Sequence, residues 1–186
     1  MKKIVVFTGA GVSADSGLAT FRDSDGLWAN YRIEDVCTPE ALRDNRAQVV
    51  DFYNMRRREM LGKELRSSRD PELIVPIDGW EQRLDATAPD GSLLRPYIVF
   101  FGEAVPMFER AAEIAGTADL MVVVGTSLAV YPAASLVRYV RPDVPIFLVD
   151  PGNPDTAMIR NPLTHIRSRA AEGMPELAER LKSEFS

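Results

Sequence analysis

Residues 4–8, Ile4-Val5-Val6-Phe7-Thr8, form an apolar, β-branched run that passes without a spacer into Gly9-Ala10-Gly11-Val12-Ser13-Ala14. A strand that ends on glycines and opens into a helix is how a parallel sheet delivers a phosphate-binding turn. Gly9 suits the tight turn, and Gly11 lets the backbone approach a pyrophosphate. Ala14 stands where a third small residue packs helix on strand. The amides that follow would offer the positive end of a helix dipole to an anion. G-x-G-x-x-A by itself is a weak signal. Its continuation through Ser13, Ser16-Gly17, Thr20-Phe21-Arg22 and Gly26-Leu27-Trp28 makes this instance specific.

The rest of the chain predicts an α/β fold, a Rossmann-like parallel sheet with helices on both faces and a reduced, small helical or irregular insertion. Strands are expected at 3–8, 97–101, 120–124, 145–149 and 164–168, and helices at 13–18, 106–115, 133–140 and 175–185. Thr38-Pro39-Glu40 is a helix start with cap, first-turn proline and early acid, and the helix should run to Met60 with a break near Asp44-Asn45. Residues 62–94 read as irregular, with weak strand tendency at 73–77. One domain over 1–186 is expected, with 1–34 and 96–186 as the nucleotide-binding core and 35–95 as the reduced subdomain. The strand ends at Thr8, Val124 and Val149 all fall at carboxyl ends, where open α/β sheets bind ligands.

Composition narrows the function classes. A net charge of −5 argues against a nucleic-acid partner or an anionic membrane surface. The five-residue apolar run after Met1-Lys2-Lys3 reads as a strand rather than a leader, and no run approaches the ~20 residues of a membrane span, so cytoplasm is the expected location. The single cysteine, Cys37, leaves no internal disulfide and no Cys₄ zinc site, and no metal is expected. The single histidine, His165, is the residue type usual for a general base near neutral pH, and it lies late in the chain, in Leu163-Thr164-His165-Ile166.

Four stretches in order, GAGVSADSGLATFRDSDGLW, Phe52-Tyr53-Asn54-Met55-Arg56-Arg57, Arg95-Pro96 through Phe101-Gly102-Glu103-Ala104-Val105-Pro106, and Gly125-Thr126-Ser127-Leu128 with Val130-Tyr131-Pro132-Ala133-Ala134, resemble the sirtuins, the NAD-dependent protein-lysine deacylases. The likeness is to a zinc-free, desuccinylase-like branch. It implies NAD as cofactor, held by Gly9, Ala10, Gly11, Val12, Ala14, Thr20, Phe21, Arg22, Trp28, Gly125, Thr126, Ser127, Asp150 and Ala170. It implies acyl-lysine protein or peptide substrates, with Val99, Phe101, Gly102 and Glu103 along the acyl-lysine path. Tyr53 and Arg56, three apart on one helix face, can bind the terminal carboxylate of a succinyl-like acyl group. Taken alone, these two are an ordinary half-buried tyrosine and a solvated arginine.

Two family elements have no counterpart: a Thr-Gln-Asn-Ile-Asp strand, and the His-Gly pair that supplies the general base. The chain passes from the Tyr/Arg helix directly into Arg66-Ser67-Ser68-Arg69, as if several dozen residues between Leu61 and Arg66 were deleted. Ile77-Asp78-Gly79 resembles the strand only superficially, since Pro76 and Trp80 place it in a linker. No catalytic residue is therefore assigned. The expected function is a deacylase of weakened or lost turnover. The alternatives are a non-catalytic NAD or ADP-ribose binding module, or an NAD glycohydrolase. Losing that strand would also open one edge of residues 4–7, to be covered by residues 66–77, to pair in a dimer or aggregate, or to leave the domain poorly stable.

Overall fold

The computed structural model describes residues 2–18, 20, 27–59 and 64–185, with backbone alone at 28, 29, 184 and 185. In chain order the elements are β1 (Ile4–Thr8), a 3-10 helix (Ala10–Ser16), α1 (Leu27–Asn30), α2 (Ile33–Val36), α3 (Pro39–Asp44) and α4 (Arg46–Glu59). Then come β2 (Glu64–Ser67), β3 (Ile74–Pro76), β4 (Leu94–Pro96), α5 (Phe108–Gly116), β5 (Leu120–Val124), a second 3-10 helix (Ala133–Tyr139), β6 (Ile146–Val149), β7 (Leu163–Ile166) and α6 (Ala170–Phe185). The chain divides into two compact units, Met1–Asp23 with Val105–Ser186, and Ser24–Ala104.

The first unit is a parallel sheet in the order β1-β5-β6-β7. β5 and β6 are buried along their whole length, as continuous apolar runs covered on both faces must be. Leu120, Val122 and Val124 share a cluster with Phe147, Val149, Leu177 and Leu181, so α6 covers that face. Met121 and Val123 pack on the other side with Ile146, Leu148, Ala134 and Val137. β1 is different. Val5 and Phe7 pack against the Met121 face, but Ile4 and Val6 remain 44% and 49% exposed. Among the described residues β1 pairs only with β5.

Residues 66–77 do not fill the open edge of β1. They contribute to a second, antiparallel sheet in the order β3-β2-β4, with Leu65 opposite Val75 on one side and Pro96 on the other. The irregular segment expected at 62–94 is thus partly a sheet. Leu65 and Leu94 bury against Ala88, and inward-facing Ser67 is satisfied by Asp90 and Ser92 at 2.6 and 2.7 Å. Ser67, followed by Ser92, holds the Asp90 carboxyl down at about 2. A depressed carboxylate stabilises the fold above its unfolded value and loses that contribution as pH falls through its folded one. Asp90→Ala should therefore lower the denaturation midpoint at pH 7 and flatten the loss of stability that wild type shows from pH ~4 to ~2. Denaturant melts across that range check it.

In the same unit Thr38 caps α3 by accepting from Ala41 N–H at 3.1 Å, with Pro39 in the first turn, and the helix breaks at Asn45 as its sequence predicts. The strand expected at 97–101 does not form. β4 ends at Pro96, Phe101 N–H turns to the Cys37 carbonyl at 2.9 Å, and Gly102 takes φ +89. These contacts draw residues 97–104 into the second unit, whereas the sequence puts 96 onward with the core.

Two helices of the first unit also differ from expectation. The segment after Gly9 is a 3-10 helix that closes at left-handed Gly17, not an α-helix from 13 to 18. α6 starts at Ala170 rather than Pro175, because the Asp15 carboxylate accepts from Ala171 N–H at 3.0 Å and caps it.

Candidate functional site

Because β1 and β5 are in register with Thr8 opposite Val124, the two glycine turns that follow them meet. Gly9 N–H donates to the Val124 carbonyl at 3.0 Å, and Gly11 N–H to the Gly125 carbonyl at 2.7 Å. A Cβ on Gly9 would stand 2.5 Å from Gly125 O, one on Gly11 2.7 Å from the same atom, and one on Gly125 2.4 Å from Val12 N. Turn-on-turn contact therefore requires these glycines. Gly11 is small to admit the neighbouring turn, and the amides of Gly9 and Gly11 are engaged by carbonyls. Gly125 and Leu128 both take left-handed backbone, φ +63 and +54. Leu128 is held there by burial and by the Thr126 hydroxyl, which accepts from its N–H at 3.2 Å. Such strain in a non-glycine residue persists only where the surroundings enforce it.

Above this contact lies a cleft of ≈ 270 Å³ at the carboxyl end of the sheet. Gly9, Ala10, Gly11, Gly125, Thr126 and Ser127 line it, with Thr20, Thr8, Phe7, Val130, Ala133 and Ala134. Seven of the cofactor residues named from sequence thus come together: Gly9, Ala10, Gly11, Thr20, Gly125, Thr126 and Ser127. Phe7 and Thr8, which precede Gly9, were not among them, and Val130, Ala133 and Ala134 belong to the stretch after Gly125 that carries the resemblance.

Four others have different positions. Val12 and Ala170 pack on the α6 cluster, and the Ala14 carbonyl accepts from Gly17 N–H. The Asp150 carboxylate folds onto its own turn, accepting from Gly152 N–H at 2.8 Å. Phe21 and Arg22 lie outside the described residues, as does the side chain of Trp28. His165 donates from Nε2 to the Asp150 carbonyl at 2.9 Å, which ties its ring to the β6 end.

In the second unit Tyr53 and Arg56 lie three apart on α4, as the sequence predicts. The Tyr53 hydroxyl is 3.1 Å from Cys37 Sγ, and its ring lies 5.9 Å from that of Phe100. Burial, with the Cys37 contact second, pushes the Tyr53 phenol far above its ordinary value, and burial pushes the Cys37 thiol up as well. The Arg56 guanidinium is ion-paired with Glu59 at 2.9 Å and its side chain is 11% exposed.

Glu103 was expected to meet substrate. Instead its carboxylate accepts from Arg95 at 2.5 and 3.0 Å, from Arg66 at 3.2 Å and from Phe100 N–H at 2.8 Å. Burial pushes that carboxyl up, but Arg95, the amide and Arg66 outweigh it and hold it below its usual range. Arg95 in turn stacks 4.2 Å over the buried Phe100 ring. Glu103 is a clamp on the 97–103 segment, and its substitution by Gln should cost about 2 kcal/mol, since hydrogen bonds to charged groups are the strong ones. Unfolding in denaturant reads this directly. Val99 is exposed, Phe101 is half-buried, and a Cβ on Gly102 would meet nothing within 4 Å.

Among the described residues no group of three or more His, Cys, Asp or Glu could hold a metal ion, and no helix is long and apolar enough to cross a membrane.

The family model described as "Sir2 family" matches residues 9–84 and 81–132. An NAD-dependent protein deacylase of Aggregatibacter actinomycetemcomitans is 42% identical over 210 positions, covering 88% of this chain and 99% of that protein. One of Bacteroides thetaiotaomicron is 38% identical over 232 positions, covering 97% of this chain and 98% of that protein. Since 97% of 186 residues is about 180, about 52 of those 232 positions have no residue of this chain opposite them. Among solved structures, a Sir2 homologue mutant in complex with ADP-ribose superposes with a TM-score of 0.85 at 26% identity, over 98% of this chain and 94% of that one. A Sir2 homologue–NAD complex gives 0.75 at 26% identity, over 98% and 90%.

Proposed function

The chain belongs to the Sir2 family, and from that premise we propose an NAD-dependent protein-lysine deacylase that keeps its cofactor-binding half and works with weakened turnover. The observation that carries the reading is the cleft over the joined glycine turns, at the carboxyl ends of β1 and β5. Its volume of ≈ 270 Å³ lies just below the ~300–1,000 Å³ of ligand pockets, and its lining suits the diphosphate-bearing half of NAD. Small residues let the ligand approach the backbone, while Thr8, Thr20, Thr126 and Ser127 bring hydroxyls. Val12, Ala14, Asp150 and Ala170 are assigned to cofactor binding with them. Phe21, Arg22 and Trp28 complete cofactor binding in this proposal.

When bound, NAD supplies an activated ribose carbon and nicotinamide as leaving group. The chain's part is to orient that group, exclude water and move a proton. Its single histidine is tied to the Asp150 carbonyl in the first unit, so proton transfer lacks the usual base. Loss of a general base costs ~10²–10⁴-fold. Tyr53 and Arg56 bind the acyl terminus, and Val99, Phe101 and Gly102 line the acyl-lysine path. The location is the cytoplasm, no nucleic acid is a partner, and the open edge of β1 takes a second chain. A second reading, an NAD or ADP-ribose binding module without turnover, is favoured by the engagement of His165. An NAD glycohydrolase, with water in place of lysine, is the third.

Nicotinamide release from NAD separates the three readings. Slow release that requires an acyl-lysine peptide supports the deacylase, and release without peptide supports the glycohydrolase. No release, with ADP-ribose still bound, leaves the binding module.

A further inference from the structure

We propose that the chain forms a twofold dimer by antiparallel pairing of β1 with β1, and that this pairing brings each partner's Lys3 beside the cofactor cleft. The role given to Lys3 rests on the NAD reading above; the pairing does not. The Lys3 carbonyl accepts from Asp119 and Leu120 N–H, and Gly9 N–H donates to Val124. Residues 3, 5, 7 and 9 therefore turn their backbone toward β5, and Ile4, Val6 and Thr8 turn theirs outward, because strand geometry alternates. No proline or charge interrupts Ile4–Thr8, so the usual protections of a sheet edge are missing.

The three outward residues centre on Val6. A twofold axis there sets Val6 against Val6 and Ile4 against Thr8, using all of them in about six backbone hydrogen bonds. It also covers apolar surface. Ile4 and Val6 lie beside Leu120 and Val122 on the α6 face, yet they stay 44% and 49% exposed and outside the cluster that α6 covers. Cross-strand pairing brings those side chains together. A parallel arrangement would put the Lys2-Lys3 segments side by side, whereas the antiparallel one parts them by roughly 20 Å.

Charge selects the same arrangement. None of the described residues lining the cleft is cationic, and the Gly9 and Gly11 amides are engaged. In the antiparallel register the partner's Lys3 stands opposite Gly9. Its side chain falls on the sheet face of Val5 and Phe7, and Phe7 lines the cleft. An anionic diphosphate there would receive from the partner a cation in addition to the chain's own Arg22, which the proposed function assigns to the cofactor.

Sedimentation velocity and ADP-ribose titration of the full chain test this together. Wild type should be dimeric at ~50 µM, and Val6→Lys monomeric with about tenfold weaker ADP-ribose binding. Ile4→Lys should repeat the Val6→Lys result, guarding against a folding defect in either variant. Lys3→Gln should stay dimeric and also bind about tenfold more weakly, while adding Lys3→Gln to Val6→Lys should cost nothing further. A monomeric wild type, or open-ended association, overturns the pairing. A Lys3→Gln effect of equal size in the Val6→Lys monomer overturns the partner's contribution. A dimer that binds no ADP-ribose supports the pairing by sedimentation and overturns the NAD reading instead.

Discussion

Gly125→Ala should abolish binding of NAD and ADP-ribose, while Gly17→Ala should leave it intact. Both glycines have left-handed backbone, φ +63 and +77, so each substitution carries a conformational cost of about 1 kcal/mol. They differ in surroundings. A Cβ on Gly17 meets nothing within 4 Å, whereas one on Gly125 would lie 2.4 Å from Val12 N and 2.8 Å from Gly11 C. Those are backbone atoms that no rotamer change can move aside. The β1 turn must separate from the β5 turn, breaking the 2.7 Å bond from Gly11 N–H to Gly125 O and opening the floor of the cleft. Overpacking of this kind adds ~1–3 kcal/mol. Titration calorimetry on both variants, with denaturant melts beside it, gives the answer. Wild-type affinity in Gly125→Ala would remove the cleft from the account.

Whatever deacylation survives should favour succinyl- or malonyl-lysine over acetyl-lysine, and Arg56→Met should erase that preference. A guanidinium paired with a ligand carboxylate contributes ~2–3 kcal/mol, a factor of about 100. Arg56 is largely buried beside Tyr53, so its charge is less screened than that of a surface arginine. It pairs with the Glu59 carboxylate at 2.9 Å, the chemistry that a dicarboxylic acyl group would present. Nicotinamide release with matched acetyl and succinyl peptides measures the preference. Equal release from both peptides, unchanged by Arg56→Met, would take Tyr53 and Arg56 out of acyl recognition.

Elements that satisfy themselves were the ones legible in sequence. β5 and β6 are continuous apolar runs because a parallel strand is buried on both faces, and their boundaries followed from that. The α3 start followed from Thr38 and Pro39, which act on their own helix. Interactions distant in sequence were harder to read. Val99 and Phe101 alternate like a strand, yet Glu103 and the Cys37 carbonyl pull that segment out of extended pairing. Glu64–Ser67 looked polar and irregular because the partners of Ser67, at 90 and 92, belong to a distant loop. Gly11 announced a close approach to a pyrophosphate but not the one to the Gly125 turn, and Asp150 gave no sign that its carboxylate would serve its own turn.

The central claim is that the cofactor-binding half of a Sir2-family enzyme is retained in this chain. Titration of the purified full chain with ADP-ribose tests it most directly, since that ligand needs the cleft and no chemistry. Binding should be saturable, one ligand per chain, with a dissociation constant between ~1 µM and ~1 mM. No heat at millimolar ADP-ribose, from a chain shown to be folded, would contradict it.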